Sequence, residues 1–346
     1  MIYFNSDYLE GAHPALLEKL NETNMVQTVG YGEDEYCAAA REKIKAACQA
    51  PEADVHFLVG GTQTNTTVIA AILRPWQGVL SAVSGHINCH EAGAIESTGH
   101  KVITLPTTNG KITAQQVRDY VEWHKHDEST EHIVQPGMVY ISHPTEGGTL
   151  YTKAELTELY GTCREYGLPL FIDGARLGYG LMADESDMTL PELARLCDVF
   201  YIGGTKVGAL FGEAVVIMNE SLKKDFRFIM KQRGGRMAKG RLLGVQFDAL
   251  FTDDLYFKIS RHANEMAKKI HAIFEDNGYP FFFNSPTNQQ YPIMSDAELA
   301  VLGKEFGYEY WERVDETHSA IRFAASWATT EENVAALRKG VEALKK

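Results

Sequence analysis

From about residue 55 the chain alternates short, continuously apolar runs with stretches whose apolar residues recur every three or four positions. The runs His56–Val59, Gly78–Val83, Lys101–Leu105, Gly137–Ser142, Pro169–Asp173, Val199–Gly203 and Glu213–Met218 are mostly β-branched and apolar throughout. Such runs predict strands covered by helices on both faces. Between them, Gln63–Leu73, Thr113–His124 and Lys153–Tyr166 carry the helical period, with Thr113 and Thr152 placed as N-caps. Strands alternating with helices predict an α/β fold with a mainly parallel sheet.

Near residue 250 the pattern changes. Ile259, Ala263, Met266, Ile270 and Phe274 recur at helical spacing, and Asn277-Gly278 ends that helix. Beyond it, Phe281–Phe283, Gln290–Ile293 and Ala320–Ala324 predict strands, and Thr330–Leu344 a closing helix. The expected organisation is a large α/β domain over 1–248, with residues 1–25 as an arm toward its site, and a small α+β domain over 249–346. No low-complexity linker separates them, so a helix is expected at the join.

Composition narrows the class. A chain of 346 residues is long for a single core, and 45% apolar with 23% charged residues is ordinary for a soluble globular protein. A net charge of −13 argues against nucleic acid and anionic membranes as partners. Five cysteines (Cys37, Cys48, Cys89, Cys163, Cys197) include no C-x-x-C pair and read as reduced core residues. The opening Met1-Ile2-Tyr3-Phe4-Asn5-Ser6-Asp7 has no signal-peptide pattern, and no apolar run reaches membrane-span length. A cytoplasmic enzyme is the expectation.

Two stretches carry the candidate chemistry. Phe171-Ile172-Asp173-Gly174-Ala175-Arg176 and Gly203-Gly204-Thr205-Lys206 each place a charged residue where a buried strand emerges. An acid and an amine on neighbouring strand ends suit pyridoxal 5′-phosphate. The lysine forms a Schiff base with the aldehyde, and the aspartate keeps the pyridine nitrogen protonated. Gly60-Gly61-Thr62-Gln63-Thr64-Asn65 follows a strand and opens a helix, a place for a phosphate. Arg176 and Arg322 offer guanidinium forks for a substrate carboxylate. His86 and His143, both at strand ends, are alternative proton carriers. His86 and His90 have i, i+4 spacing, but no H-E-x-x-H or cysteine cluster completes a zinc site, so no metal is expected. Gly178-Tyr179-Gly180-Leu181-Met182-Ala183 fits G-x-G-x-x-A yet stands several residues from its strand, against a dinucleotide site. The basic stretch Lys231–Arg241 stands out in an acidic chain.

From Phe4-Asn5-Ser6-Asp7 to Arg322-Phe323-Ala324-Ala325-Ser326-Trp327, the chain resembles the threonine aldolase/β-eliminating lyase family, pyridoxal-phosphate enzymes of the aspartate-aminotransferase fold (fold type I). The resemblance implies a seven-stranded large domain and a smaller C-terminal one. It implies Lys206 as the Schiff-base lysine and Asp173 as partner of the pyridine nitrogen. Gly61, Thr62, Asn65, Thr205 and Arg176 match cofactor-binding positions, and His86 the histidine over the ring. Ser6, Arg176 and Arg322 match ligands of the substrate carboxylate, and Tyr31 a segment donated by a neighbouring subunit. Two elements depart from the family pattern: Gly204-Thr205-Lys206-Val207-Gly208 replaces Ser-x-Ser-Lys, and Ser142-His143-Pro144-Thr145 replaces Asn-Thr-His-Asn. The implied activity is cleavage of β-hydroxy-α-amino acids such as L-threonine or L-allo-threonine to glycine and an aldehyde. Alternatives are β-elimination or racemisation, a nicotinamide-dependent oxidoreductase, or a non-catalytic assembly protein. A homodimer or homotetramer with shared active sites is implied.

Overall fold

A computed structural model describes residues 1–345. The N-terminal strand β1 (Ile2–Tyr3) is followed by the strands of the large sheet: β2 (Asp54–Leu58), β3 (Gln77–Ala82), β4 (Val102–Leu105), β5 (Gln135–Ser142), β6 (Leu170–Asp173), β7 (Val199–Gly203) and β8 (Glu213–Ile217). Their order is β2-β8-β7-β6-β5-β3-β4. All neighbours run parallel except β8, which is antiparallel to β2 and β7. All seven strands expected from the apolar runs are present, within two residues at each end.

Continuous apolarity has its expected cause. Tyr140, Phe171, Val199 and Tyr201 pack on one face with Val68 and Ile69 of helix Gly61–Ile72. Val139, Ile141, Ile172, Phe200 and Ile202 fill the other. Thr113 and Thr152 form capping boxes with Gln116 and Glu155, each contributing about 1 kcal/mol to a helix start.

The C-terminal part holds a second core around Met266, Ile270, Phe274, Phe323 and Leu337. Its strands are β9 (Gln289–Gln290), β10 (Ile293–Ser295), β11 (Phe306–Gly307), β12 (Glu309–Arg313) and β13 (His318–Ala324). Residues 281–283, expected as a strand, form only a single bridge, Phe281 with Pro292. Phe281 instead stacks on His271 at 4.0 Å, and Phe283 packs edge-on, 5.1 Å from Tyr291 and 5.8 Å from Trp311. The expected division at 248/249 falls inside helix Arg241–Leu250. The first residues of the arm join the C-terminal core: β1 pairs with β11, Phe4 is buried there, and its carbonyl accepts the Ala324 amide. No described helix is long and apolar enough to cross a membrane. Four cysteines are buried, whereas Cys89 is exposed.

Candidate active site

The C-terminal ends of β5, β6 and β7 lie side by side and gather the candidate side chains at one edge of the sheet. Asp173, the last residue of β6, is buried and accepts four hydrogen bonds. Its Oδ1 takes the Tyr201 hydroxyl at 2.5 Å and the Ala175 amide at 3.0 Å. Its Oδ2 takes the Tyr140 hydroxyl at 2.6 Å and the Asn65 amide at 3.1 Å. Burial raises the carboxyl's pKa, but His86 and these donors outweigh it and hold the pKa below the usual range. Asp173 therefore stays ionised, the state that a protonated pyridine nitrogen requires.

Lys206 lies in the turn between β7 and β8. No hydrogen bond holds its ammonium among the described residues. Burial, then the nearby Arg176 charge, lower its pKa to about 8, against the pull of Asp7, Asp173 and Glu213. A depressed amine is free to act as a nucleophile near neutral pH. Its turn is anchored by Glu213, whose Oε2 accepts the Gly204 amide (2.9 Å) and Oε1 the Thr205 hydroxyl (2.8 Å). Thr205 Oγ1 also accepts the Gly212 amide at 3.0 Å. The Thr205 hydroxyl is thus engaged within its own turn, and its expected phosphate contact has no free proton to use.

Helix Gly61–Ile72 begins at Gly60 with no side-chain cap, which leaves the amides of its first turn open. Thr62 is exposed there. Gly61 lies against the site itself, since a Cβ would come within 3.2 Å of the Tyr201 hydroxyl. Arg233, from the basic stretch, reaches this end. Its carbonyl accepts from Gln63 at 3.1 Å, and its buried Nε has no partner. Arg236 and Arg241 are bound elsewhere, to Glu33 and to the Thr23 and Asn24 carbonyls.

His86 Nδ1 lies 2.8 Å from Glu91 Oε1, which also accepts from Asn65 at 2.8 Å. Glu91 thereby orients the imidazole, and Asn65 links it to Asp173. His143 follows the alternation of β5 to the opposite face. Fully buried near Tyr151, with both ring nitrogens unpartnered, its imidazole is pushed by burial down to about 4. As a correction to the sequence-based expectation, His143 does not face the cavity. The strand's period of two turns it away from Asp173.

The two arginines differ. Arg176 is bidentate to Asp7, Nε–Oδ2 at 2.7 Å and Nη2–Oδ1 at 2.9 Å, and Asn288 also donates to Asp7. Burial would raise the pKa of Asp7, but Arg176 beside it holds it down at about 2. Asp7 fills the Nε/Nη2 edge of the Arg176 fork, while Nη1 keeps its donors for the expected substrate carboxylate. Arg322 has no acidic partner. Its Nη2 donates to the Asn5 carbonyl (2.9 Å), its Nη1 to Gln289 (3.3 Å), and its buried Nε to nothing. The hydroxyl of buried Ser6 is likewise unpartnered. Tyr31 stands apart, half exposed, with Lys231 4.7 Å from its ring centre.

The residues fit pyridoxal phosphate. The ionised Asp173, the free Lys206 amine, the uncapped helix start and the unpaired Arg233 match its ring nitrogen, aldehyde and phosphate. Gly178 and Gly180 serve packing instead: a Cβ would strike Ser260 and Tyr256, or Pro144. Sequence reasoning missed Asp7, Glu91, Tyr140, Glu146, Tyr201, Glu213 and Gln289. A signal existed for three of them. Tyr140 and Tyr201 put hydroxyls into fully buried strands, where each needs a partner, and Glu213 opens an apolar run with a charge.

Comparison with known proteins agrees with this geometry. The family model described as beta-eliminating lyase matches residues 4–338. A low specificity L-threonine aldolase from Pseudomonas aeruginosa is 28% identical over 98% of this chain and 96% of its own. The solved structure of a Leishmania major threonine aldolase is 42% identical, covers 100% of both chains and superposes with a TM-score of 0.97. An aspartate aminotransferase variant from Thermus thermophilus, 13% identical, covers 98% of this chain and 90% of its own with a TM-score of 0.69, which shows the shared fold.

Proposed function

This chain belongs to the beta-eliminating lyase family, and from that premise we propose that it is a pyridoxal-phosphate-dependent aldolase. It cleaves β-hydroxy-α-amino acids, L-threonine or L-allo-threonine, to glycine and an aldehyde. The observation that carries the reading is the pairing of an unpartnered, depressed Lys206 amine with a carboxylate, Asp173, kept ionised by four donors. The names of the relatives point the same way.

Pyridoxal phosphate, when bound, supplies an aldehyde for an amine and a ring that draws off the electron pair released at Cα. Lys206 would hold the cofactor through its aldehyde carbon. Asp173 keeps a proton on the ring nitrogen, with Tyr140, Tyr201 and Asn65 fixing its orientation. Thr62, Arg233 and the amides that open helix Gly61–Ile72 hold the phosphate. Arg322 and Ser6 grip the substrate carboxylate, which orients the Cα–Cβ bond. His86, steadied by Glu91, covers the ring.

The same reading makes the enzyme cytoplasmic and a homodimer or homotetramer, with Tyr31 donated to a neighbour's site. Exposed Met25, Val29 and Phe228 supply apolar surface for a subunit contact. It also divides the chain near residue 248 into a large and a small domain.

Product analysis tests the activity. Incubation with L-threonine should give glycine and acetaldehyde in equal amounts. A 2-oxo acid with ammonia would indicate elimination instead, and the opposite enantiomer racemisation. Borohydride should bleach the visible band of the loaded protein and leave the label on Lys206. A label on another residue would sink the assignment.

A further inference from the structure

With His143 on the far face of the sheet, and His86 held by Glu91 and assigned to the cofactor ring, the β-hydroxyl proton needs another acceptor. Five carboxylates surround the cavity, and four are engaged or sealed. Asp173 and Asp7 accept on both oxygens. So does Glu213. Glu91 gives one oxygen to His86 and Asn65, and its other is sealed from solvent without a partner.

Glu146 differs. It follows β5 in the loop Thr145–Thr149, and its Oε1 alone is anchored, by the Ser142 hydroxyl at 2.6 Å and the His86 amide at 2.8 Å. No other described residue donates to its Oε2. The loop is braced from the C-terminal part, where Tyr291 donates to the Glu146 carbonyl at 2.6 Å and Gln289 at 3.3 Å. Gln289 is also the residue that Arg322 touches. Gly148 takes φ 78° there, and a Cβ would strike Ser285. The carboxylate is therefore fixed between the His86 side of the cavity and the guanidinium assigned to the substrate carboxylate.

Resting on the aldolase reading, we propose that Glu146 is the catalytic base that takes the proton from the substrate β-hydroxyl. The O–H bond breaks and its proton passes to Oε2, while the oxygen's freed electron pair makes the aldehyde C=O. The Cα–Cβ bond breaks, its pair stays at Cα, and one proton returns there to complete glycine. Substrate equals glycine plus aldehyde atom for atom, with no oxidant or reductant.

The electrostatics suit a proton acceptor stronger than an ordinary glutamate. Burial raises the Glu146 carboxyl above its ordinary value; the Ser142 hydrogen bond and its own backbone amide oppose this, Asp173 adds to it, and His86 reduces it. Tyr140, Tyr151 and Tyr291 also face it, as neutral phenols whose own pKa values are raised.

Glu146→Gln keeps an Oε1 acceptor for Ser142 and His86, so the fold is preserved. We expect kcat to fall roughly 10²–10⁴-fold, with KM and the absorbance titration by pyridoxal phosphate unchanged and the acid limb of the rate profile lost. An infrared difference titration of the cofactor-free protein should show carboxyls protonating above the ordinary glutamate range, with one component lost in Glu146→Gln and that of Glu213, raised to about 7, retained. Ser142→Ala removes a donor that holds this carboxyl down, so its acid limb should move to higher pH. Near-wild-type kcat in Glu146→Gln with the acid limb intact, or an unmoved limb in Ser142→Ala, overturns the assignment while leaving the aldolase reading standing. A wild-type protein that makes no glycine from β-hydroxy amino acids overturns both.

Discussion

Arg176 and Arg322 are the same residue type, flank the same cavity, and were both expected to hold a substrate carboxylate. Arg176 has its counter-ion: Asp7 fills one edge of its fork from the N-terminal arm, with side-chain exposures of 11% and 0%. Arg322 is open, with neutral oxygens on two nitrogens and nothing on the third. A buried cation that already has its counter-ion is part of the scaffold, whereas one that lacks it is a receptor for an anion still to come. Lys206 belongs with Arg322 in this respect.

The comparison can be broken in several ways. Lys206→Ala removes an unpaired cation. It should cost about 10³-fold or more in turnover, at least about 4 kcal/mol of barrier, while the melting temperature holds or rises. A clear loss of stability would mean that Lys206 has a partner after all. Asp7→Asn should act in the opposite way, lowering unfolding free energy by about 3–5 kcal/mol in a urea titration, because Arg176 is left buried and uncompensated. The depressed pKa of Asp7 makes its contribution fully present above the ordinary aspartate range and lost as pH falls toward about 2. Arg322→Ala should raise KM about 10- to 100-fold, the worth of one or two charged hydrogen bonds, with stability changed by less than about 1 kcal/mol. Equal stability losses at positions 7 and 322 would erase the distinction.

The smallest effect is kinetic. The pKa of Lys206, depressed to about 8, means that the folded protein bears an unfavourable charge below pH 8, relieved as pH rises toward the ordinary lysine range. The rate at which cofactor-free protein takes up pyridoxal phosphate should therefore climb with a midpoint near pH 8. A midpoint above 10 would show an ordinary surface amine.

Legibility in the sequence followed the range of the interactions. The strands 54–58 through 213–217 were readable because a sheet covered on both faces demands unbroken apolarity, which is a local pattern. Asp173, Lys206 and Gly61 were readable because each sits where such a run ends. Glu146 sits in an unpatterned loop, and its surroundings come from positions 86, 142 and 291. Residues 281–283 misled because three aromatic side chains raise strand propensity wherever they pack.

The one-dimensional chain thus determined the fold class, the strand ends and the amine–acid pair, since these depend on periodicity and on which residue follows a buried run. Which charges are satisfied was decided only by tertiary structure. Asp7 is 169 residues from Arg176 and Asn5 is 317 from Arg322. Whether a guanidinium meets a carboxylate or a carbonyl over such separations depends on how two cores dock, which no local pattern records.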